Sequence, residues 1–287
     1  MTSLIFQETV IRFDHFYRKC RWLKQGKDTK VGPKEIVTML YKHDHRLFQI
    51  AFKADLADGP IGKLWEVLNP LGILIMNATF SSKEGRTGSW NVFLDSGNYA
   101  LTEEALRPRL EAMTAIRELR ISGGQEFVVD ELFYPIVMST TGARIMLMTK
   151  DSFQNMLSSM DEMFGSGATV IAFKQGFAQG SSYAKGLRSI IQGDVRRFIG
   201  ELAKLYAATG VGVAEFVVMN PDVPRFVVRV SDSIECQGKE SEKHNSQWIR
   251  GHLSGAASSA LEAPMECKET RCVSVGDPYC EFELTKG

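Results

Sequence analysis

Three of the five cysteines in this 287-residue chain lie in its last twenty-one residues, within CKETRCVSVGDPYCEFEL at 267 to 284. Their spacing is Cys267-x4-Cys272-x7-Cys280, around a Gly276-Asp277-Pro278 turn. Thiols crowded in this way ligate a metal, exchange electrons, or pack in a core. The Gly-Asp-Pro turn reverses the chain, which lets Cys272 and Cys280 face one another across a hairpin. A tetrahedral zinc site needs two more donors. Cys236 ends an upstream strand, His244 and His252 flank the start of a helix, and Glu269 stands three residues before Cys272. No C-x2-C is present, so spacing alone does not mark a zinc ribbon, and buried packing thiols stay open as a reading.

These residues need a frame. Strand alternation through 267 to 272 puts residues 268, 270 and 272 on one face and Cys267 with Glu269 on the other. NSQWIRGHLSGAASSALEA reads as a helix dense in small residues. Trp248 and His252 are four apart on it and share a face, offering a stacking plane and a polar handle to a ligand. VGVAEFVVMN and RFVVRVSDSIECQG read as two strands joined by a Pro-containing turn. SFQNMLSSMDEMFG reads as a helix with Phe153, Met156, Leu157, Met160 and Met163 on one core stripe. ATVIAFKQGFAQGSSYAKGL is a helix with Gly176, Gly180 and Gly186 inside it. Each interior glycine costs roughly 1 kcal/mol against alanine, which predicts close packing on a neighbour. VRRFIGELAKLYAATG is a helix stopped by Gly210. FVVDELFYPIVMS and ARIMLMT read as strands.

The first half has a different order. Residues 1–45 read as a leading helix, the basic stretch RKCRWLKQGKDTKVG, and a short helix from Pro33. LFQIAFKA is a strand. PIGKLWEVLNPLG is a helix with Ile61, Leu64, Trp65 and Leu68 at helical spacing. ILIMNATF and GSWNVFLDSG are strands, the second alternating Trp90, Val92 and Leu94. TEEALRPRLEAM is a helix opened by Thr102, and AIRELRISG closes with a strand. The order β-α-β-β-α-β is the ferredoxin-like arrangement.

Composition excludes some functions. Lys+Arg and Asp+Glu are 34 each, so the formal charge is zero. A global nucleic-acid or anionic-membrane binder needs surplus positive charge. The hydrophobic fraction is 44% and the charged fraction 24%, as in ordinary globular chains. No apolar run approaches the roughly 20 residues of a membrane helix. MTSLIFQETVIRFDHFYRKC has acidic residues early and no clean apolar stretch, which points to a cytoplasmic location. In that reducing compartment five cysteines are thiols or metal ligands.

Two resemblances follow from these motifs. Residues 46–123, by element order and the ADLADGPIG turn, resemble the ACT family of small regulatory domains. That resemblance implies pairing and small-molecule binding near Asp58, Gly59 and Gly62. On the residues themselves, Gly59-Pro60 makes a turn and caps a helix. Residues 124–287 resemble the 4-vinyl reductase domain, whose fold is similar to that of TRAPP vesicle-tethering subunits. The carrying features are Arg250, Gly251 and Gly255 on the helix, then Glu269, Thr270 and Cys272, then Gly276, Asp277, Pro278, Cys280 and Phe282. In aromatic-sensing members of that family zinc is held by an E-x-x-C segment, a cysteine eight positions later, and a cysteine just before the helix. Glu269, Cys272 and Cys280 match that set. The remaining position is Ser246 here, and Cys236 is the candidate substitute. The resemblance thus implies a structural zinc on Cys236, Glu269, Cys272 and Cys280, with Cys267 left to packing.

The expected fold is α+β: an ACT-like ferredoxin-like domain followed by a 4-vinyl-reductase-like domain of antiparallel sheet and packed helices. The expected function is cytoplasmic sensing of a small hydrocarbon or aromatic ligand by a homodimer, with output through a protein partner. Trp248, His252, Phe173, Phe177 and Tyr183 form the candidate ligand-binding set. A vinyl-group reductase acting in tetrapyrrole-type metabolism and a TRAPP-like scaffold are the alternatives. A reductase needs a hydride or electron source. The nearest glycine pattern, Gly210-Val-Gly212, follows a helix and precedes a strand, the wrong context for a dinucleotide fingerprint. No catalytic residue is assigned.

Overall fold

The computed structural model describes residues 34–82, 85–99, 101–188, 191, 195–220 and 224–287. The leading helix and basic stretch expected before Pro33 lie outside these residues. The short helix expected from Pro33 does not form over residues 34–41. That segment is extended and ends in strand β1 (Met39–Tyr41).

The chain divides into two compact units, the first ending at Tyr134 and the second being Pro135–Gly287. The division expected at 123/124 is therefore displaced. The reason is local pairing: strand β6 (Phe127–Val129) pairs with β1 and holds that segment to the first unit.

The first unit is built on β2 (Leu47–Asp55), α1 (Pro60–Leu68), β3 (Leu74–Ser81), β4 (Thr87–Asp95), α2 (Glu103–Glu111) and β5 (Ile116–Gln125). Its sheet runs β3-β4-β2-β5, every pair antiparallel, the order of a ferredoxin-like unit. Phe48, Ile50 and Phe52 of β2 alternate with Leu47 and Gln49, so the first set meets Leu64, Leu68, Leu106 and Leu110 of the helices. Trp65, expected on the core face of α1, is 45% exposed, because only the Leu64–Leu68 edge of that helix meets the sheet. Thr102 caps α2 by accepting from Ala105 N. On the other face Leu47 and Phe93 pack with Val128. Beside them Gln49, Asn91 and Asp130 form a hydrogen-bonded set that pins the segment after β6.

The second unit contains α3 (Lys150–Phe164), α4 (Gly167–Arg188), α5 (Val195–Ala208), β7 (Val213–Asn220), β8 (Arg225–Ser231), α6 (Gln247–Leu261), β9 (Met265–Arg271) and β10 (Cys280–Lys286). Its antiparallel sheet runs β7-β8-β10-β9, with β9 and β10 as the terminal hairpin. The strands expected over 127–139 and 143–149 shrink to β6 and a single bridge, Val137 with Arg144. Beyond β6 their apolar side chains join no core, so nothing extends the pairing. The stripe expected on α3 splits likewise. Phe153 and Leu157 are buried and Met160 packs on the core, whereas Met156 and Met163 are exposed, because the far end of α3 leaves the body.

Helices α4 and α6 interlock through glycines. A Cβ at Gly176 would stand 2.0 Å from the Trp248 carbonyl oxygen, and one at Gly180 2.0 Å from that of His252. In return, a Cβ at Gly251 would stand 2.0 Å from the Phe173 oxygen, and one at Gly255 2.1 Å from that of Phe177. No real side chain fits there. The glycine cost read from the sequence is thus offset by backbone-to-backbone packing at Gly176 and Gly180. Gly186 takes no part, since a Cβ there meets nothing within 4 Å.

Candidate metal centre and aromatic pocket

The turn after β8 positions two functional side chains at once. Cys236 N and Gln237 N both donate to the Ser233 oxygen, and Gln154 of α3 donates to the Ile234 and Gln237 carbonyls. Held so, Glu235 accepts from Trp248 N and Ile249 N, both at 2.9 Å, and caps α6 from outside the helix. Burial pushes the Glu235 carboxyl up to about 7, against the pull of those amides. Cys236, the next residue, turns the other way into the terminal hairpin.

There Cys236, Glu269, Cys272 and Cys280 bring one ligand atom each within 4.8 Å of all the others, and all four residues are buried. Cys236 Sγ lies 3.6 Å from Cys272 Sγ. Zinc–sulfur bonds of about 2.3 Å at tetrahedral angles separate two sulfurs by about 3.8 Å, so the spacing suits that ion. Ser246 sits among them, its Oγ 3.0 Å from Cys236 Sγ and 3.4 Å from Cys280 Sγ. Strand alternation alone puts Cys272 opposite Glu269. The strand in fact stops at Arg271, and Cys272 begins a tight turn, so its thiol swings back to the Glu269 side. Asp277 fixes that turn by accepting from Cys272 N at 2.9 Å, and Gly276 takes φ 100°, a left-handed backbone that glycine allows.

The electrostatics match a cation-binding set. Burial pushes the Glu269 carboxyl up to about 8, and one of its oxygens, Oε2, accepts from Ser246 N. The other, Oε1, is buried without a hydrogen-bond partner. Thiol hydrogen bonds from Cys236 and Cys280 draw the Cys272 thiol far down, while the Cys236 thiol is driven up by its bond to Cys272. One negative charge shared among three thiols and an orphaned carboxyl oxygen is a donor set suited to a divalent ion. Cys267 lies outside it and packs against the core, its thiol driven up by burial. His244 also lies outside, with Nδ1 against the Glu269 carbonyl.

On the same helix, one turn in, Trp248 and His252 come together. Their ring centroids are 5.3 Å apart. Tyr206 of α5 meets His252 edge-on, its hydroxyl 2.8 Å from Nδ1. Tyr183 of α4 approaches to 6.1 Å, and Phe153 stands edge-on to Trp248 at 5.2 Å. Burial pushes the His252 imidazolium down to about 4 and the Tyr206 phenol far up, so both are neutral at pH 7. With the Tyr206 hydroxyl as donor, the imidazole proton sits on Nε2. The Tyr183 hydroxyl is buried and has no partner. Beside this group lies an apolar cavity of about 20 Å³ between α5, α6 and the sheet, lined by Phe198, Leu202, Phe216, Leu253 and Leu284 among others.

Of the expected ligand-binding residues, Trp248, His252 and Tyr183 converge. Phe173 and Phe177 do not join them: they meet one another at 6.4 Å, and Arg250 stacks over Phe173. Tyr206, Phe153 and Glu235 belong to the site and were not legible as such. Glu235 carried one signal, an acid between apolar residues in the run SIEC. In the first unit, Gly59 takes φ 59° and ends a short turn, and Pro60 follows at the first position of α1. Asp58 and Gly62 are exposed. Asp55, not Asp58, organises the loop, accepting from Ala57 N and pairing with Arg86.

Comparison with known proteins agrees with the hairpin. Residues 226–286 match the vinyl-4-reductase (V-4-R) domain family. No curated protein matches the chain. Solved structures similar to it include the phenol-responsive sensory domain of the transcription activator PoxR with phenol, at 16% identity and TM-score 0.45, covering 50% of this chain and 77% of that one. A trafficking protein particle complex subunit 3 from Naegleria fowleri covalently bound to palmitic acid aligns at 14% identity and TM-score 0.41, covering 48% and 92%. A vinyl-4-reductase family protein from Methanocaldococcus jannaschii aligns at 17% and 0.33, covering 50% and 99%. Mixed helix and antiparallel sheet, the terminal hairpin and the family match lead to one assignment: the C-terminal half of this chain carries a vinyl-4-reductase domain.

Proposed function

We propose that this chain is a small-molecule sensor whose vinyl-4-reductase domain takes an apolar or aromatic ligand beside Trp248 and His252. The observation that carries the reading is the buried, unpartnered Tyr183 hydroxyl next to the Tyr206–His252 pair. A buried hydroxyl left unpaired costs about 1–3 kcal/mol, and a ligand with one polar group recovers it. The adjoining cavity accepts the apolar remainder. At about 20 Å³ it holds roughly one water, so a ligand must widen it.

Zinc on Cys236, Glu269, Cys272 and Cys280 is part of the proposal. With four protein donors the ion supplies no open position and acts as a staple between the hairpin and the start of α6. Residues 46–123 are proposed to be an ACT-like regulatory domain, and the sensor to act in the cytoplasm as a homodimer through a protein partner.

The test has two parts. Metal analysis of untagged protein is expected to give about one zinc per chain, lost in Cys272→Ser and Cys280→Ser. Titration with phenol and with toluene, followed by tryptophan fluorescence, is expected to saturate in the wild type. It should weaken at least about tenfold in His252→Ala and Tyr183→Phe, the size of one lost hydrogen bond. No saturable binding of either probe at millimolar concentration would sink the sensor reading, and a metal-free wild type would sink the staple.

A further inference from the structure

The exposed apolar surface of the second unit is unevenly placed. Of its thirteen exposed large apolar side chains among the described residues, ten fall between Ile136 and Val170. Six of them ride on residues 136–148, a hairpin in which Met138 N donates to the Ala143 oxygen and Ile145 N to that of Ile136. Met146 is 78% exposed. No side chain from residues 130–149 enters any of the three cores. A two-stranded hairpin without a body beneath it is marginal in water. The remaining four, Met156, Met163, Phe164 and Val170, belong to α3 and the start of α4.

The two parts of this surface suit each other. Between Leu132 and Met148 the sole formal charge is Arg144, a cation. The α3 end carries Asp161 and Glu162, both exposed. The ten side chains together expose on the order of 800 Å², taking about 150 Å² for a whole large side chain. That exceeds the roughly 300–600 Å² of the largest patch on a typical monomer, and equals the roughly 800 Å² per partner of a standard interface. An extended apolar arm and an uncovered apolar helix face on one chain can cover each other in pairs under a two-fold axis.

We propose that the 136–148 hairpin of one copy lies across the α3–α4 face of a second copy, and reciprocally, so that these two elements form the homodimer interface. This assignment is independent of what the pocket binds. Sedimentation equilibrium of the 287-residue chain is expected to give twice the chain mass at micromolar concentration. The double variant Met146→Asp/Leu147→Asp is expected to dissociate about 100-fold more readily, the effect of losing a central anchor, with its circular dichroism unchanged. Val275→Asp, an exposed apolar position outside the patch, should keep the wild-type mass. Should the double variant not fold, a photo-crosslinking side chain at Met146, in a mixture of isotopically heavy and light chains, is expected to capture the 150–164 peptide of the other chain. A monomeric wild type overturns the proposal. So does a folded double variant that dimerises as the wild type does, or a crosslink within one chain only.

Discussion

Ser246 and Cys236 share a place that the E-x-x-C pattern gives to one cysteine before the helix. Ser246 lies on the chain where that thiol is expected, and Cys236 brings the sulfur from the turn after β8. The two roles are therefore exchangeable. Cys236→Ser is expected to lose zinc affinity by at least about 100-fold, as removal of a ligand does more than removal of its support. Adding Ser246→Cys to that variant is expected to restore it, with metal content and Tm as the readouts. A second prediction concerns His252. Its folded value, about 4, is depressed below the ordinary 6.5 by burial, so the folded state binds fewer protons between those values. Its contribution to stability is complete above about pH 6.5 and is lost as the pH falls toward 4. The full loss is on the order of 3 kcal/mol. Urea unfolding at pH 7 and pH 5 checks this: His252→Gln should show a smaller drop than the wild type. The hairpin ligands were legible because Glu269, Cys272 and Cys280 lie within twelve residues and carry distinctive chemistry. Tyr206 and Glu235 were not, because ordinary residue types on separate elements reveal their partners only once folded.

At the scale of elements, the α4–α6 interlock can be tested by one methyl group. Gly255→Ala drives a Cβ to 2.1 Å from the Phe177 oxygen, which forces the helices apart. The expected loss is about 1–3 kcal/mol or more, as in overpacked cores. Gly200→Ala in α5 meets nothing within 4 Å and is expected to stabilise by up to about 1 kcal/mol. Chemical denaturation of the two variants gives both signs. The sequence carried half of this result. Interior glycines announce a close neighbour, but not which helix supplies it, and not that Gly186 lacks one. The apolar runs at 127–139 and 143–149 failed as strands for a related reason. Alternation describes a strand's faces and says nothing about whether another strand lies alongside.

At the scale of the whole molecule, each unit has its own core: Phe48, Ile50 and Leu64 with their neighbours in the first, Phe198, Val228 and Phe282 with theirs in the second. Calorimetry is expected to resolve two transitions, since two-state behaviour belongs to single domains. A zinc chelator should lower the Tm of one transition and leave the other in place. Movement of both together would contradict the division at Tyr134. The order β-α-β-β-α-β was legible because local patterns repeat cleanly there. The boundary was not, since it depends on β1 meeting β6 across some eighty-five residues of chain.

The glycine contacts between α4 and α6 behave like meshed gear teeth. Carbonyls of each helix sit in notches of the other at two successive turns, so neither helix can slide or roll without collision. Whatever widens the cavity must therefore move the pair as a single block, or leave it still and displace α5. Helix α5 carries Leu202 and Tyr206 into the site and faces α6 through side chains, which can change rotamer. The mesh thus assigns the moving part: binding would be felt first along α5 and at the strand that follows it, β7, the outer strand of the sheet.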